Sequence, residues 1–161
     1  MLTRYKSWAD ELVFSTVGKL PVEEITRQRA SCFRNMIHTL NHVYVIDRVF
    51  QAHLLGQEHG YTARNTATYP SLEELLAAVR IINGWYIEFA DSSTSATLGK
   101  TIQFELIGGG RGTMTCYEMI QHVVNHATYH RGYIDEMMYQ GGTTPATTDL
   151  PVFLRDVPQT Y

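Results

Sequence analysis

The stretch HVVNHATYHRGY, residues 122–133, carries three of the seven histidines in the chain, and they are spaced four residues apart. This spacing places His122, His126 and His130 on one face of a helix, one turn above the next. On a helical wheel, His126 and His130 fall inside the apolar stripe of the segment, and His122 falls at its edge. The stripe consists of Met119, Val123, Ile134 and Met137. We therefore expect two imidazoles to face the protein core.

Two buried imidazoles need partners, because an unpaired buried polar group costs about 1–3 kcal/mol. A hydrogen-bonded histidine pair would satisfy them, but two histidines at i and i+4 on an apolar face favour a metal site. The segment lacks the glutamate of an HExxH motif, so it does not predict a metalloprotease. A third ligand should come from another buried helix, where His38, His42 and His53 share roughly one face. Helical angle alone leaves all three open, whereas His59 is predicted to lie in a solvated loop.

Capping signals predict the helix boundaries on both sides of the histidine segment. The capping boxes TCYE (residues 115–118) and SLEE (residues 71–74) each start a helix. The first of these helices ends near residue 140 at two glycines, and the second ends in the small polar residues 91–97. Both helices are amphipathic, so each is expected to pack one face against the core.

The N-terminal half of the chain predicts two further helices. One helix begins at Leu2 and ends before Gly18, with Lys6 and Asp10 on its solvent side. A long helical segment then covers about residues 22–55, with a break predicted near residues 28–31. Its later part is apolar on more than one side, which is typical of a central helix covered by neighbours.

A short β-hairpin is predicted before the histidine helix. Ile102, Phe104 and Leu106 alternate with polar residues, and a glycine-rich turn leads to a second strand near residues 112–114. The glycines match no phosphate-binding motif, which favours a hairpin turn over a phosphate cradle. A short helix capped by Asp149 follows in the tail. The fold prediction is all-α: a four-helix bundle with this small hairpin before the last helix, in one domain over residues 1–161.

Composition excludes several classes of partner. The net charge is −3 and the basic residues are scattered, so no concentrated basic face exists for nucleic acid. No segment predicts a signal peptide or a membrane span. Cys32 and Cys116 are isolated within apolar helical patterns, which favours two free buried thiols over a disulfide between them and predicts a reducing, cytoplasmic location.

Two motifs resemble one known family. TLNHVYVIDRVF (residues 39–50) and HVVNHATYHRG (residues 122–132) are similar to the paired motifs of DinB/YfiT-like metal-binding four-helix bundles, and the resemblance covers nearly the whole chain. It implies that His42, His126 and His130 are the metal ligands, which selects His42 over the other histidines of the central helix.

The resemblance also bears on the residues around these ligands. His122, Tyr133 and Arg131 are expected to border the ligands or to line the pocket, and Tyr133 stands where the family usually has glutamine.

Two residues next to His130 carry expectations of their own. Arg131 is expected to pair with Asp135 or Asp47, or else to be solvated. Gly132 inside a helix predicts the close approach of a neighbouring helix.

Three neutral histidines would leave one coordination position open for water or substrate. This ligand set suits Zn, Ni, Fe or Cu.

The predicted site is consistent with two classes of function. The resemblance implies an enzyme that uses a low-molecular-weight thiol, such as mycothiol, bacillithiol or glutathione, to act on a small electrophilic substrate; a metal-dependent hydrolase is a variant. The other class is a non-catalytic metal-binding or stress-associated protein. The resemblance and the many aromatic residues also predict a homodimer.

Overall fold

The computed structural model describes residues 1–158, and four long helices dominate the fold. These are α1, α3, α4 and α6, and α1 and α3 each pack against both α4 and α6. The elements in chain order are α1 (Leu2–Val17), α2 (Val22–Thr26), α3 (Met36–Leu55), α4 (Leu72–Ser92), α5 (Ser95–Leu98), β1 (Thr101–Glu105), β2 (Arg111–Thr115), α6 (Cys116–Gln140) and α7 (Leu150–Asp156). The predicted four-helix bundle with a hairpin before the last long helix is confirmed. Within residues 1–158, no helix combines the length and the apolar character that a membrane span requires.

Both predicted capping boxes are present. The Ser71 hydroxyl accepts from the Glu74 amide at 3.2 Å, and the Glu74 carboxylate accepts from the Ser71 amide at 2.9 Å. Thr115 and Glu118 make the same two bonds at the start of α6. Each box satisfies backbone N–H groups that have no partner within the helix. Asp149 precedes α7 as predicted, but its side chain makes no cap hydrogen bond.

The predicted break before α3 is longer than the sequence pattern indicated. Residues 27–35 are not helical, and Asn35 rather than the apolar pattern sets the start of α3. Its side chain accepts from the His38 amide at 2.9 Å and donates to the Thr26 carbonyl at 3.2 Å. The expectation for Cys32 is wrong, because this residue lies exposed in the non-helical segment, whereas Cys116 is buried and both thiols are free.

The hairpin packs on the end of the bundle where α3 finishes. Its register runs from Thr101 opposite Thr115 to Glu105 opposite Arg111, so β1 ends one residue before Leu106. The Phe104 ring lies on Gly112, where an added Cβ would come within 2.4 Å of the ring. Phe104 also packs against the core cluster around Phe50 and Tyr86. The hairpin therefore closes this end of the core.

A buried charged network joins the long helices. The Lys6 ammonium, on α1, lies 2.8 Å from Asp10, 2.7 Å from Asp47 of α3 and 2.8 Å from the amide oxygen of Asn83 on α4. Burial lowers the pKa of Lys6, but Asp10 and Asp47 raise it above its ordinary value, so the ammonium stays charged. The prediction that Lys6 and Asp10 face solvent is therefore wrong, since they bind across the core.

Candidate metal centre

Three histidines from two helices meet inside the bundle. His42 lies on α3, and His126 and His130 lie one turn apart on α6. Their ring centroids are 4.4–5.0 Å apart, and one ring nitrogen from each lies within 4.8 Å of the other two. Within residues 1–158, this is the one group of three or more histidine, cysteine or acidic side chains close enough to hold a metal ion.

The tautomer of His42 is fixed by the loop after α3. The Nδ1 atom of His42 is 2.8 Å from the carbonyl oxygen of Arg64, and a carbonyl only accepts, so Nδ1 carries the proton. In the neutral ring, Nε2 then has a free lone pair, and it lies 3.1 Å from Nε2 of His126. Two nitrogens at this distance need a proton or a cation between them. A backbone acceptor on the outer nitrogen is the usual support for a metal-binding histidine.

The electrostatics keep all three imidazoles neutral at pH 7. Burial is the main cause, and it lowers the pKa of His42, of His126 to about 2, and of His130 to about 4. The neighbouring imidazoles lower the pKa of His126 further. The Nδ1 atoms of His126 and His130 are buried and have no hydrogen-bond partner among residues 1–158. The cluster therefore presents neutral nitrogen donors, which is the protonation state that metal binding needs.

Aromatic rings form the walls around the cluster. Phe33 stacks on His42 with a centroid distance of 4.0 Å and meets His130 edge-on at 5.6 Å. Tyr129 and Tyr133 lie beside His130, and their hydroxyls are 2.7 Å apart. Sequence periodicity could not identify Phe33, because it lies in the non-helical segment before α3.

The other histidines occupy separate places. His122 borders the cluster, with its ring 5.5 Å from His126 and 4.4 Å from Phe50. His38 stacks on Tyr69, while His53 packs beside His59 in a different region. The structure thus brings His42, and neither of the other two histidines of α3, to the pair on α6.

Arg131 takes partners that the sequence did not indicate. Its guanidinium donates to the Tyr5 hydroxyl at 3.0 Å and to Thr128 at 2.8 Å, and it lies 3.6 Å from Asp10. The expected ion pairs with Asp135 and Asp47 do not form, and the side chain is buried rather than solvated. It ties α6 to α1 directly after His130.

The explanation predicted for Gly132 is also wrong. The residue is exposed, and a Cβ placed there would meet nothing within 4 Å. None of the helices in the described part of the chain approaches it closely.

Comparisons with known proteins agree with this architecture. The DinB family model matches residues 1–159. The protein DinB of Bacillus subtilis (strain 168) is 30% identical over 159 residues, covering 95% of this chain and 91% of that protein. A crystal structure of a DinB-like protein from Bacillus cereus is similar in fold, with a TM-score of 0.66, 18% identity, and coverage of 89% of this chain and 91% of that one. The chain belongs to the DinB family.

Proposed function

We propose that the chain binds one divalent transition metal ion through His42, His126 and His130 and uses it for thiol-dependent transfer to a small electrophile. The observation that carries this proposal is the cluster of neutral imidazoles from two helices, with their nitrogens within 4.8 Å of one another. The family membership agrees with it.

The residues present fit a transition metal. Imidazole nitrogens suit Zn, Ni or Fe, and three protein ligands are typical of sites that keep an open position. The Nε2 atoms of His42 and His126 are 3.1 Å apart, and both residues would hold the ion together with His130. No carboxylate belongs to the group, so an anion is the favoured occupant of the open position.

The chemistry follows from this charge. When bound, the ion would lower the pKa of a thiol at the open position and hold it as the thiolate. The thiolate sulfur would bond to the electrophilic carbon of the substrate, whose leaving group departs with its electron pair, and the thiol proton passes to solvent. The chain's own part is to orient His42 through Arg64 and to limit access of water with Phe33. The rings of Tyr129 and Tyr133 lie beside His130, and their hydroxyls would offer hydrogen bonds to such a substrate.

A non-catalytic metal site is the second candidate. Phe33 stacks directly on His42, and this favours a covered site in which the ion joins α3 to α6. The two candidates differ in whether an external ligand reaches the ion.

Cobalt substitution separates them. The chain is loaded with cobalt and titrated with bacillithiol, mycothiol and glutathione. A sulfur-to-cobalt charge-transfer band that appears in the wild type and in His59→Ala, but not in His42→Ala, supports thiol activation. If no thiol changes the spectrum while cobalt stays bound, thiol activation by these three compounds is ruled out and the non-catalytic site takes its place.

A further inference from the structure

A second pocket lies at the other end of α3 and shares no lining residue with the three-histidine cluster. It is a cavity of about 470 Å³ between the loop after α3 and the tip of the β1–β2 hairpin. Its chemically important lining residues are His53, Glu58, His59, Tyr61, Phe104 and Glu105. None of these residues has a role in the proposed metal site or in the proposed thiol chemistry.

Four aromatic rings follow one another along this pocket. His53 is the central one, with its ring 5.5 Å from Phe104 and 5.5 Å from His59. His59 is followed by Tyr61, whose ring is 6.3 Å away at an interplanar angle of 25°. Ring faces attract cations, and several rings around one cavity form the usual cage for an ammonium group.

The carboxylates of Glu58 and Glu105 line the pocket, whereas no lysine or arginine of residues 1–158 does. Glu58 and Glu105 are exposed, and neither forms an ion pair within residues 1–158. Arg111 lies opposite Glu105 in the hairpin register without bonding to its carboxylate. Burial and the neighbouring His59 lower the pKa of His53, so this ring adds no positive charge at pH 7. The pocket therefore favours a cation electrostatically.

The two imidazoles offer the pocket no free acceptor nitrogen. The Nε2 atom of His53 has almost no accessible surface, so a ligand in the pocket cannot reach it. The Nδ1 atom of His59 accepts from the Tyr61 amide at 3.0 Å, so in the neutral ring its Nε2 carries the proton. The pocket therefore suits a transition metal poorly and an organic cation well.

An anion is the wrong ligand for this place. Two backbone amides of the glycine turn that borders the pocket are used within the turn, since the Gly109 amide donates to the Leu106 carbonyl and the Leu106 amide donates to the Gly110 carbonyl. These groups are not free to surround a phosphate.

We propose that this pocket binds a small organic cation with N–H donors, a protonated alkylamine, through the rings of Tyr61 and Phe104 and the carboxylates of Glu58 and Glu105. The amine would sit against the rings, and its alkyl part would lie along Phe104. The proposal stands apart from the metal centre and does not depend on it.

The test is an NMR titration of the full-length chain, with the His53 imidazole signals as the readout. The ligands are butylammonium, tetramethylammonium and butyrate at constant ionic strength. Butylammonium should shift the signals saturably. Tetramethylammonium, which has no N–H donor, should bind roughly two- to ten-fold more weakly, and butyrate should not bind.

Variants locate the binding site. The double variant Glu58→Gln, Glu105→Gln should weaken butylammonium binding roughly two- to ten-fold, and Tyr61→Leu roughly two- to five-fold. The matched control Glu88→Gln, an exposed glutamate on α4, should leave the affinity unchanged. The proposal is overturned if butylammonium gives no saturable shift, if butyrate binds as well as the amine, or if either pocket variant retains wild-type affinity.

Discussion

Replacing Lys6 with methionine should destabilise the protein severely, although the change keeps the length of the side chain. Lys6 is 1% exposed, and its ammonium is the cation between Asp10 and Asp47. Removing one partner of a buried ion pair leaves an uncompensated charge and costs about 3–5 kcal/mol. That is a large part of the total stability of a typical domain, which is about 5–15 kcal/mol.

The loss of Lys6 should affect Asp47 more than Asp10. Asp10 keeps a hydrogen bond from Asn83 at 3.0 Å and the guanidinium of Arg131 at 3.6 Å. Asp47 is fully buried, and its carboxylate receives no hydrogen bond from any other group within residues 1–158. Burial already raises the pKa of Asp47 to about 6, and loss of Lys6 should raise it further.

The sign of the pH dependence follows. When a carboxyl has a higher pKa in the folded state than in the unfolded state, the protein loses stability as the pH rises from the unfolded pKa, about 4, through the folded pKa. The Lys6→Met variant should therefore be less destabilised at pH 5 than at pH 8. Urea unfolding followed by circular dichroism measures this difference.

Two controls frame the result. Arg80→Met removes an exposed partner of Glu11 and should change the stability little, because solvent screens this pair. Adding Asp47→Asn to Lys6→Met should recover part of the loss, because it removes the unpaired charge. A Lys6→Met variant as stable as Arg80→Met would refute the reasoning.

Three further results are expected. Phe33→Ala should let thiols reach cobalt-loaded protein faster than Phe33→Leu does, because it uncovers the ring of His42; equal stopped-flow rates of the charge-transfer band would contradict this. The metal-free chain should lose stability as pH falls from 7 to 5, because the unfolded histidines, with a pKa of about 6.5, take up protons that folded His126 and His130 resist, with pKa values of about 2 and about 4. Urea unfolding across this range should show that the free energy of unfolding depends less steeply on pH in His130→Gln than in the wild type. An identical pH dependence would contradict the low folded pKa of His130. Light scattering at micromolar concentration should give twice the 18.3 kDa chain mass, since the predicted homodimer would cover exposed apolar side chains such as Ile81, which is 73% exposed; a monomer would count against this prediction.

The sequence predicted the elements whose pattern repeats along one helix. The apolar stripe of α6 is buried as the helical wheel indicated, and His130 lies within it at 5% exposure. His126 is half-buried, close to the position that the wheel gave it. The capping boxes set the starts of α4 and α6 because they depend only on residues three positions apart.

The predictions from sequence that were wrong concern residues whose partners lie on other helices. Lys6 and Asp10 were predicted to face solvent, since periodicity treats charged residues as exposed, and their partner Asp47 lies on another helix. Arg131 finds Asp10 and Tyr5 on α1 for the same reason. Phe33 lies in a non-helical segment with no repeating pattern, so its contact with His42 has no signal in the sequence.

The most direct test of the metal centre is the ion content of purified chains loaded with zinc and then dialysed. We expect one ion per wild-type chain, none in His42→Ala, His126→Ala or His130→Ala, and full content in His59→Ala, which lies outside the cluster. Circular dichroism should confirm that each variant is folded. A folded His126→Ala, His130→Ala double variant that keeps its full metal content would contradict the account.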